Sequence, residues 1–356
     1  MKINISTKEF QDIIKKALNV IPKKHEIEVL ENLCVRVQNN NINMIATNLD
    51  NYIVFNVDGN ITEEGETLLD IETLKLISKL KTDNIIIQDS KIISGNKEIQ
   101  INDSGNVEEY PEIDFISDCN IHGFTTTEYE LAALLTIKYA ISEDESRPFL
   151  NTLAIDKDCF MTSDSFRIAR RSVSFENKIK DRVLMHVDTV NLLDSLINKK
   201  GKKNYEVNCF VDEDLKQIVF QIDNMKLYSK LSEEIFPQVE KIIPQDFNTT
   251  ITTNKKNLLD ELEFIKGLKC DPVRLLKFDC MDGEINMTAW GNINKKVKIK
   301  LEAEIDNEFG SSFILNHKFV ADTIKNSDNG DNVKIKISIN AGIINVNDDY
   351  ILPIKT

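Results

Sequence analysis

The order of secondary-structure elements expected from the sequence repeats three times along the chain. Amphipathic helices are predicted to begin near residues 8, 127 and 255, and each is followed by strand-like runs, a second helix and further strands. In the first helix, apolar residues from Phe10 to Ile21 recur at three- and four-residue spacing, which places them on one face. The unit returns every ~120 residues, about a third of the 356-residue chain. The sequence therefore indicates a tandem repeat, and three unrelated α+β domains are the alternative.

The segments between the helices have hairpin patterning. In NLCVRVQNNNINMIATNLDNYIVFNV, NTLAIDKDCFMTSDSFRIARRSVSF and VRLLKFDCMDGEINMTAWGNINKKVKIKL, apolar and polar residues alternate around a short polar turn. Second helices are predicted from about residues 70, 186 and 316, and Thr127 with Glu130 fits a capping box at the third helix of the chain. We therefore expect an α+β toroid in which helices line one face and antiparallel sheets join edge to edge on the other.

Two proline-containing segments mark the expected domain boundaries. They are EEYPEIDFISD at 108–118 and EEIFPQVEKIIPQD at 233–246, and proline at the end of an edge strand suits a linker. The predicted domains are 1–118, 119–246 and 247–356.

The charge balance limits how this chain could bind nucleic acid. The net charge is −14, from 44 basic and 58 acidic residues, and taken alone this argues against phosphate contacts. A ring with an acidic outside and a basic lining would give the same total, however. Clustered lysines in NKKGKKN, which are Lys199, Lys200, Lys202 and Lys203, fit such a lining, because mobile ammonium groups can follow phosphates without reading bases. An ordinary solvated helix end is the alternative for this cluster.

Metal, cofactor and catalytic chemistry are not expected. The six cysteines and four histidines are dispersed, so the sequence predicts free, mostly buried thiols and no zinc site. Phosphate-loop, dinucleotide, metalloprotease and nucleophile-elbow motifs do not occur. The run Thr162–Ser165 offers a Ser/Asp pair, but no histidine lies near it in the sequence. The chain has no apolar segment of membrane-spanning length and no signal-peptide pattern at its start, so a cytoplasmic protein is expected.

Six short motifs together resemble one protein family. They are EVLENLCVRVQNNNINMIATNLDNYI, EEYPEID, SRPFLNTLAI with MTSDSFRIARRSV, YSKLSEEIFPQVEKIIP, FILNHKFVADTI and the terminal YILPIKT. In this order and at these spacings they resemble the bacterial sliding clamps, the β subunit of DNA polymerase III, over essentially the whole chain. Each motif is weak alone, and the set in register is specific.

The resemblance implies a fold and a function. Sliding clamps form head-to-tail homodimers in which six similar domains make a ring that encloses duplex DNA without reading its sequence. The ring tethers the polymerase α subunit, is handled by the clamp-loader complex, and binds other polymerases, ligase and mismatch-repair proteins. Such a chain confers processivity and catalyses nothing itself. A non-catalytic scaffold of the same repeats, an unrecognised hydrolase, and a phage or plasmid clamp with one dedicated polymerase are the alternatives.

The resemblance also implies sites. Lys24, Arg147 and Phe149 match positions that touch DNA, although Phe149 could equally be core. A groove that takes a short partner peptide would lie between the second and third domains, with Asn316 and Arg167 holding the peptide backbone. Its walls map to Leu150, Leu153, Ser163, Ser165, Phe166, Arg167, Ile168, Pro237, Lys241, Ile242, Asn316, Phe319, Pro353, Ile354 and Lys355. Plain core is the alternative for Leu150, Leu153 and Ile168.

This chain departs from the family at two places in the groove. Ser165 stands where glycine is usual, so the turn is less permissive. Leu352-Pro353-Ile354-Lys355 replaces a Met-Pro-Met-Arg type of ending, and Lys355 keeps the charge without the two-pronged guanidinium. An altered peptide preference is therefore expected.

Ring closure is expected to use edge strands of the first and third domains. Ile99 and Ile101 occupy the matching edge of the first domain, and Phe264 and Ile265 are candidates on the opposing side. Pairing such edges between two copies removes them as aggregation sites. Intradomain core is the alternative for Ile99 and Ile101.

Overall fold

A computed structural model provides the structure of this chain. It describes residues 1–88, 90–101, 105–112, 122–197, 199, 203–212, 216–269, 274–292, 295–306, 311–327, 330–338 and 342–354. Lys200, Lys202, Lys355, Cys119, Cys270 and the first predicted boundary, near residue 118, lie outside the described residues.

The described residues follow the predicted three-fold order. The first repeat contains β1 (Lys2–Ser6), α1 (Thr7–Ala17), β2 (Asn32–Gln38), β3 (Asn41–Thr47), β4 (Asn51–Val57), β5 (Gly59–Glu63), β6 (Gly65–Asp70), α2 (Ile71–Ile77), β7 (Asn84–Gln88), β8 (Lys91–Ser94) and β9 (Lys97–Gln100). The second contains β10 (His122–Thr127), α3 (Glu128–Leu135), β11 (Thr152–Ile155), β12 (Cys159–Ser163), β13 (Arg167–Ser172), β14 (Val183–His186), α4 (Val187–Leu196), β15 (Glu206–Asp212), β16 (Gln217–Ile222) and β17 (Met225–Ser232). The third contains β18 (Thr249–Asn254), α5 (Lys255–Lys266), β19 (Leu275–Met281), β20 (Glu284–Trp290), β21 (Lys296–Glu302), β22 (Glu304–Asp306), β23 (Ser311–Asn316), α6 (His317–Asn326), β24 (Asn332–Ile337), β25 (Ile344–Val346) and β26 (Asp349–Ile351). The α+β prediction and the matched helix pairs are confirmed.

Each helix begins directly after a strand, a feature that the sequence reading did not resolve. At α1, α2, α3, α5 and α6, the last strand residue caps the helix with its side chain. Asp70 accepts a hydrogen bond from the Thr73 backbone N–H at 2.6 Å. The predicted capping box is formed: Thr127 Oγ1 accepts from Glu130 N–H at 3.3 Å, and Glu130 Oε2 accepts from Thr127 N–H at 3.2 Å. These bonds satisfy amide groups that the first helical turn leaves without partners.

The chain forms two compact units. The first unit comprises residues 1–133, 174–180 and 188–232, and the second comprises 134–173, 181–187 and 233–356. Each unit therefore contains parts of two consecutive repeats, and the division into three domains stays a prediction.

In the first unit, one antiparallel sheet joins the first two repeats. Its strand order is β6-β2-β3-β4-β17-β16-β15-β10. The joint is the pairing of β4 with β17, which we call the first seam, and it runs over five residue pairs from Asn51↔Ser229 to Phe55↔Met225. A second sheet has the order β5-β1-β7-β8-β9.

In the second unit, a sheet of order β14-β11-β12-β13-β26-β25-β24-β18-β22 joins the second and third repeats. Its joint is the pairing of β13 with β26, the second seam, which has only the pairs Arg167↔Ile351 and Ile168↔Tyr350. A further sheet has the order β21-β20-β19-β23. The predicted edge-to-edge joining of sheets is confirmed in each unit.

The helices pack on the sheets through the apolar faces that the sequence predicts. Phe10, Ile13 and Ile14 of α1 are buried, and burying a side chain of this size stabilises the fold by ~1.5–3 kcal/mol. Gln11 Nε2 donates to the carbonyls of Ile77 and Leu80, both at 3.0 Å, and so ties α1 to the end of α2.

The cysteines that the structure describes are free and buried: Cys34, Cys159, Cys209 and Cys280. Burial raises the pKa of the Cys34 thiol to about 12, so the thiol stays protonated. The prediction of buried, free thiols is confirmed for these four. A search of the described residues finds no helix long and apolar enough to span a membrane.

Candidate functional site

An apolar pocket of about 210 Å³ lies beside the second seam, within the second unit. Its lining is Phe149, Leu150, Ser163, Ser165, Phe166, Arg167, Ile168, Pro237, Val239, Ile242, Ile343 and Leu352. A concave apolar surface with a few polar groups suits the anchoring of one or two apolar side chains of a ligand.

Five segments from two repeats build the pocket walls, and one of them contributes only Ile343, just before β25. The turn from Asp164 to Phe166 and the start of β13 form one wall. A short 3₁₀ helix at Pro148–Leu150 lies beside it, and a second at Val239–Ile242 forms the opposite wall. Leu352 follows β26, and its N–H donates to the Phe166 carbonyl at 2.9 Å, which continues the second seam to the edge of the pocket.

The turn before β13 has a constrained backbone. Asp164 Oδ1 accepts hydrogen bonds from the N–H groups of Phe166 at 3.0 Å and Arg167 at 2.8 Å. Ser165 has a φ of 75°, in the left-handed region that favours glycine. This φ agrees with the sequence expectation that the Cβ of Ser165 makes the turn less permissive. Phe166 leaves the turn with 57% of its surface exposed, and its ring lies 6.1 Å from that of Phe319.

The Arg167 guanidinium binds groups of the protein that surround the pocket. It pairs with Asp164 at 2.8 Å and with Asp322 at 3.3 Å, and Nη2 also donates to the Tyr139 carbonyl at 3.1 Å. The same group lies 4.2 Å from the centre of the Phe319 ring, a cation–π distance. Arg167 is thus buried and neutralised, and in this structure its donors hold the pocket together.

Arg147 stands at the pocket rim and is half exposed. Its Nη1 donates to Ser165 Oγ at 2.9 Å, and its Nε lies 3.7 Å from a carboxylate oxygen of Asp144. Hydrogen bonds from Ser146 hold the pKa of the Asp144 carboxyl below its usual value. Because Ser165 supplies the acceptor, the residue that departs from the family pattern also anchors Arg147.

The structure brings together most of the predicted groove. Leu150, Ser163, Ser165, Phe166, Arg167, Ile168, Pro237 and Ile242 all line the pocket. Phe319 stacks on Phe166 behind it, and Pro353 and Ile354 follow Leu352, with Ile354 N–H donating to the Ile314 carbonyl at 2.8 Å. Lys241 is exposed beside Ile242. A role for these residues in peptide binding stays a prediction.

The groove assignment of Leu153 needs correction, and that of Asn316 stays a prediction. Leu153 is fully buried in β11, where it pairs with Met185 of β14, so it is core and not wall. The Asn316 side chain caps α6, since its Oδ1 accepts from the Lys318 N–H at 3.0 Å. The expected contact between Asn316 and a peptide backbone would compete with this cap.

The sequence reading missed several pocket residues. Val239, Ile343 and Leu352 line the pocket without having been predicted there, and Phe149 lines it although it was assigned to DNA. Leu352 carried a usable signal, because it precedes Pro353 in the C-terminal motif. Val239 and Ile343 carried none, since each reads as an ordinary apolar position.

The described basic candidates for DNA contact are exposed, whereas Phe149 is half-buried and lines the pocket. Lys24 lies with Lys23 and His25 on the wall of an open concavity in the first unit, next to Lys75 of α2. Lys199 pairs with Asp194 at 2.7 Å, and the Lys203 ammonium lies 5.6 Å from the centre of the Tyr205 ring. The remaining lysines of that cluster lie outside the described residues.

The candidate interface residues divide into exposed and buried ones. β9 is the outer strand of its sheet and carries Ile99 half-buried, followed by the buried Ile101. On α5, Phe264 is 64% exposed, whereas Ile265 is 0% exposed and packs in the core with Leu258 and Leu262. The assignment of Ile265 to an interface is therefore corrected, because a fully buried side chain cannot contact another copy without unfolding. Among the described residues, no cluster of potential ligands could hold a metal ion.

Comparison with known proteins identifies relatives along the whole chain. Residues 1–134 match the family model of the DNA polymerase III beta subunit, N-terminal domain. The beta sliding clamp of Streptococcus pneumoniae strain R6 is 25% identical over 330 residues, covering 84% of this chain and 82% of that protein. Two solved structures share the fold. The beta subunit from DNA polymerase of Streptococcus pyogenes has a TM-score of 0.89 at 18% identity, with all of both chains covered. The DNA polymerase sliding clamp from Bacillus subtilis has a TM-score of 0.87 at 19% identity, covering 100% of this chain and 99% of that one.

Proposed function

We propose that this chain is a sliding clamp of the DNA polymerase III beta-subunit family, as its similarity to that family's N-terminal domain and to a beta sliding clamp supports, and that two copies close head to tail into a ring around duplex DNA. Two outer strands support this proposal. β9 and β21 end their respective sheets in the part of the chain that the structure describes. An exposed edge strand offers a row of backbone donors and acceptors, so pairing with a second copy would satisfy both. The exposed ring of Phe264 would add apolar contact area at such an interface.

The pocket beside the second seam is the site we propose for partner proteins, and it is the observation that carries the proposal. A peptide with an apolar anchor would insert between Ile168 and Leu352 on one side and Pro237 and Ile242 on the other. Phe166 would cover the inserted side chain, because more than half of its surface is free. The DNA polymerase III α subunit, the clamp loader and other clamp-binding polymerases, ligase and repair proteins are the proposed partners. They would meet the ring in the cytoplasm.

A clamp of this kind acts by topology and avidity rather than by catalysis. A partner held on a closed ring cannot diffuse away from the template, so each single contact can be weak. Lys24, Arg147, Lys199 and Lys203 would contribute diffuse, sequence-independent attraction to phosphate, together with Lys200 and Lys202. Substituting the four lysines of the NKKGKKN segment with glutamate should weaken DNA contact and lower its salt dependence, and an unchanged salt slope would contradict the lining assignment.

The experiment that tests the groove is removal of residues 353–356, followed by titration with a fluorescent clamp-binding peptide. We expect peptide binding to be lost while sedimentation still reports the dimer. An intact chain titrated in parallel shows that the peptide is competent. Unchanged binding to the truncated chain would place the partner site elsewhere, whereas loss of the dimer would show that the C-terminus serves ring closure instead.

A further inference from the structure

The buried carboxylate of Asp349, at the start of β26, accepts hydrogen bonds from three residues of the preceding repeat. Asp349 is 1% exposed. Its Oδ1 accepts from Arg171 Nη1 at 2.6 Å and from the Arg170 N–H at 2.9 Å. Its Oδ2 accepts from the Tyr139 hydroxyl at 2.7 Å and from Arg171 Nη2 at 3.3 Å. Two carboxylate oxygens with four donors are close to fully satisfied, so the cost of burying the charge is largely offset.

Tyr139 and Arg171 are both suited to donate hydrogen bonds to Asp349. Burial, followed by the nearby charge of Asp349, raises the pKa of the Tyr139 phenol well above its usual value, so the phenol stays protonated and donates. Arg171 also contacts a third element in addition to Asp349. Its Nη2 donates to the Asn326 carbonyl, at the end of α6, at 2.8 Å. One guanidinium therefore joins β13, β26 and α6, and its planar fork allows this where a lysine could not.

The position of this network matters because the second seam is short. β13 and β26 share only two residue pairs, Arg167↔Ile351 and Ile168↔Tyr350. The side-chain contacts of Asp349 extend the same joint by two residues, to Arg170 and Arg171. On the other side of the pairs, the Leu352 N–H donates to the Phe166 carbonyl. The register of the seam thus depends on contacts at both of its ends.

The register of the seam places Leu352 next to Phe166 at the edge of the pocket. Ile168 lines the pocket from β13, and Leu352 lines it from the segment after β26. A shift of β26 along β13 would move Leu352 away from Phe166 and Ile168 and change the shape that a ligand meets. We propose that Asp349 is a positioning residue for the groove, which through Arg171 holds β26 in register so that Leu352 forms a pocket wall. The proposal rests on the proposed function of the groove.

Two substitutions distinguish the effect of Asp349 on the register of β26 from its effect as the counter-charge of Arg171. Asp349→Asn keeps the shape and can still accept from Arg170 N–H, but it leaves Arg171 with an uncompensated buried charge. Arg171→Lys keeps the charge that neutralises Asp349 but loses the fork that spans Asp349 and Asn326. The matched control is Glu66→Gln in the first unit, which breaks the partly buried Arg36–Glu66 ion pair of 2.9 Å. All three are single side-chain changes on the full chain.

The first measurement is hydrogen exchange of the Leu352 amide, followed at a temperature at which every variant is folded by circular dichroism. We expect exchange to accelerate about tenfold or more in Asp349→Asn and in Arg171→Lys, and to stay unchanged in Glu66→Gln. Wild-type protection in both test variants would overturn the proposal. Faster exchange in Asp349→Asn alone would also overturn the proposal. Asp349 would then act only by neutralising the charge of Arg171, and not by holding β26 in register.

The second measurement is the affinity of a fluorescent clamp-binding peptide for the same variants. The proposal expects a loss of about tenfold in Asp349→Asn and Arg171→Lys and none in Glu66→Gln. Faster exchange with unchanged affinity would overturn the positioning role. If the wild-type chain itself does not bind the peptide, the proposed groove function fails, and the exchange result still decides whether Asp349 holds the register.

Discussion

The two seams of this molecule have the same architecture but different chemistry. At the first seam, β4 and β17 share five residue pairs, and the polar group beneath them is neutral: the Thr189 hydroxyl donates to Asn51 Oδ1 at 2.9 Å. At the second seam, β13 and β26 share two pairs, and the polar group is the buried Arg171–Asp349 ion pair at 2.6 Å. The first seam is joined by the longer ladder of backbone pairs. At the second seam, side-chain hydrogen bonds add to a shorter ladder.

The segments that cover the two seams differ in a related way. Each segment has two consecutive glutamates followed by an aromatic residue directly before a proline. The aromatic and proline pairs are Tyr110-Pro111 and Phe236-Pro237. Tyr110 is 2% exposed, and its hydroxyl donates to the Ile45 carbonyl at 3.0 Å. Phe236 has no hydroxyl, and the segment after it forms a pocket wall with Pro237, Val239 and Ile242. The same repeated unit thus forms a closed joint in one place and the wall of an apolar pocket, the proposed partner site, in the other.

The largest effect is expected from removing the ring that covers the first seam. Tyr110→Ala should lower the free energy of unfolding by about 3–5 kcal/mol, because a buried aromatic side chain is lost. Tyr110→Phe removes only the hydroxyl, which donates to the Ile45 carbonyl at 3.0 Å and to the Asn32 carbonyl at 3.4 Å, and should cost about 1 kcal/mol. Urea denaturation followed by circular dichroism measures both. Equal midpoints for Tyr110→Ala and the wild type would contradict the packing described for this seam.

The corresponding change at the second seam should affect two properties. Phe236→Ala should cost a similar ~3–5 kcal/mol of stability, and it should also weaken peptide binding, since Phe236 packs with Val239 and Ile168 beside the pocket. Tyr110→Ala should leave the peptide affinity of the folded protein unchanged. Anisotropy titration below the unfolding transition tests the contrast. A loss of affinity in both variants would mean that the two seams do not differ in the way described.

A smaller effect is expected from shortening a single pocket wall. Leu352→Ala should lower peptide affinity by about tenfold, because one apolar contact with the ligand worth ~1.4 kcal/mol would be lost. Leu76→Ala, which shortens a partly exposed leucine of α2 in the first unit, is the matched control. Calorimetric titration of both variants is the measurement, and equal affinities would argue against Leu352 as a wall.

The smallest effect concerns the strained turn. Ser165→Gly should stabilise the chain by roughly 1 kcal/mol or less, because glycine adopts a φ of 75° without strain while the hydrogen bond from Arg147 is lost. Ser165→Ala loses the same hydroxyl but keeps the Cβ, so it should not be stabilised. Thermal denaturation of the pair isolates the backbone contribution. Equal shifts for glycine and alanine would contradict the strain assigned to this turn.

Much of this architecture is readable from the sequence, because local patterns carry it. Helical periodicity predicts the six helices, and in α5 the four- and three-residue spacing of Leu258, Leu262 and Ile265 places Ile265 on the core face. The assignment of Ile265 to an interface went against that signal and was wrong. The run Ser163–Ile168 could be placed at the pocket because it forms one continuous stretch of a motif that resembles the family.

What the sequence does not reveal are contacts between distant segments. Tyr139 and Asp349 lie 210 residues apart, and Arg171 and Asp349 lie 178 residues apart. No spacing or periodicity connects such residues, so the network at the second seam emerges only from the folded chain. Ile343 becomes a pocket residue for the same reason, since its neighbours in the lining belong to the preceding repeat.

The most direct test of a clamp that holds DNA by topology is retention on circular DNA. The labelled chain is assembled on a nicked circular plasmid by its clamp loader, and gel filtration is run before and after a restriction enzyme linearises the plasmid. A ring that encircles DNA should elute with the circle and be released from the linear form, because it can slide off a free end. Equal retention on both forms would show binding by surface contact, and would contradict the closed ring on which the proposed function depends.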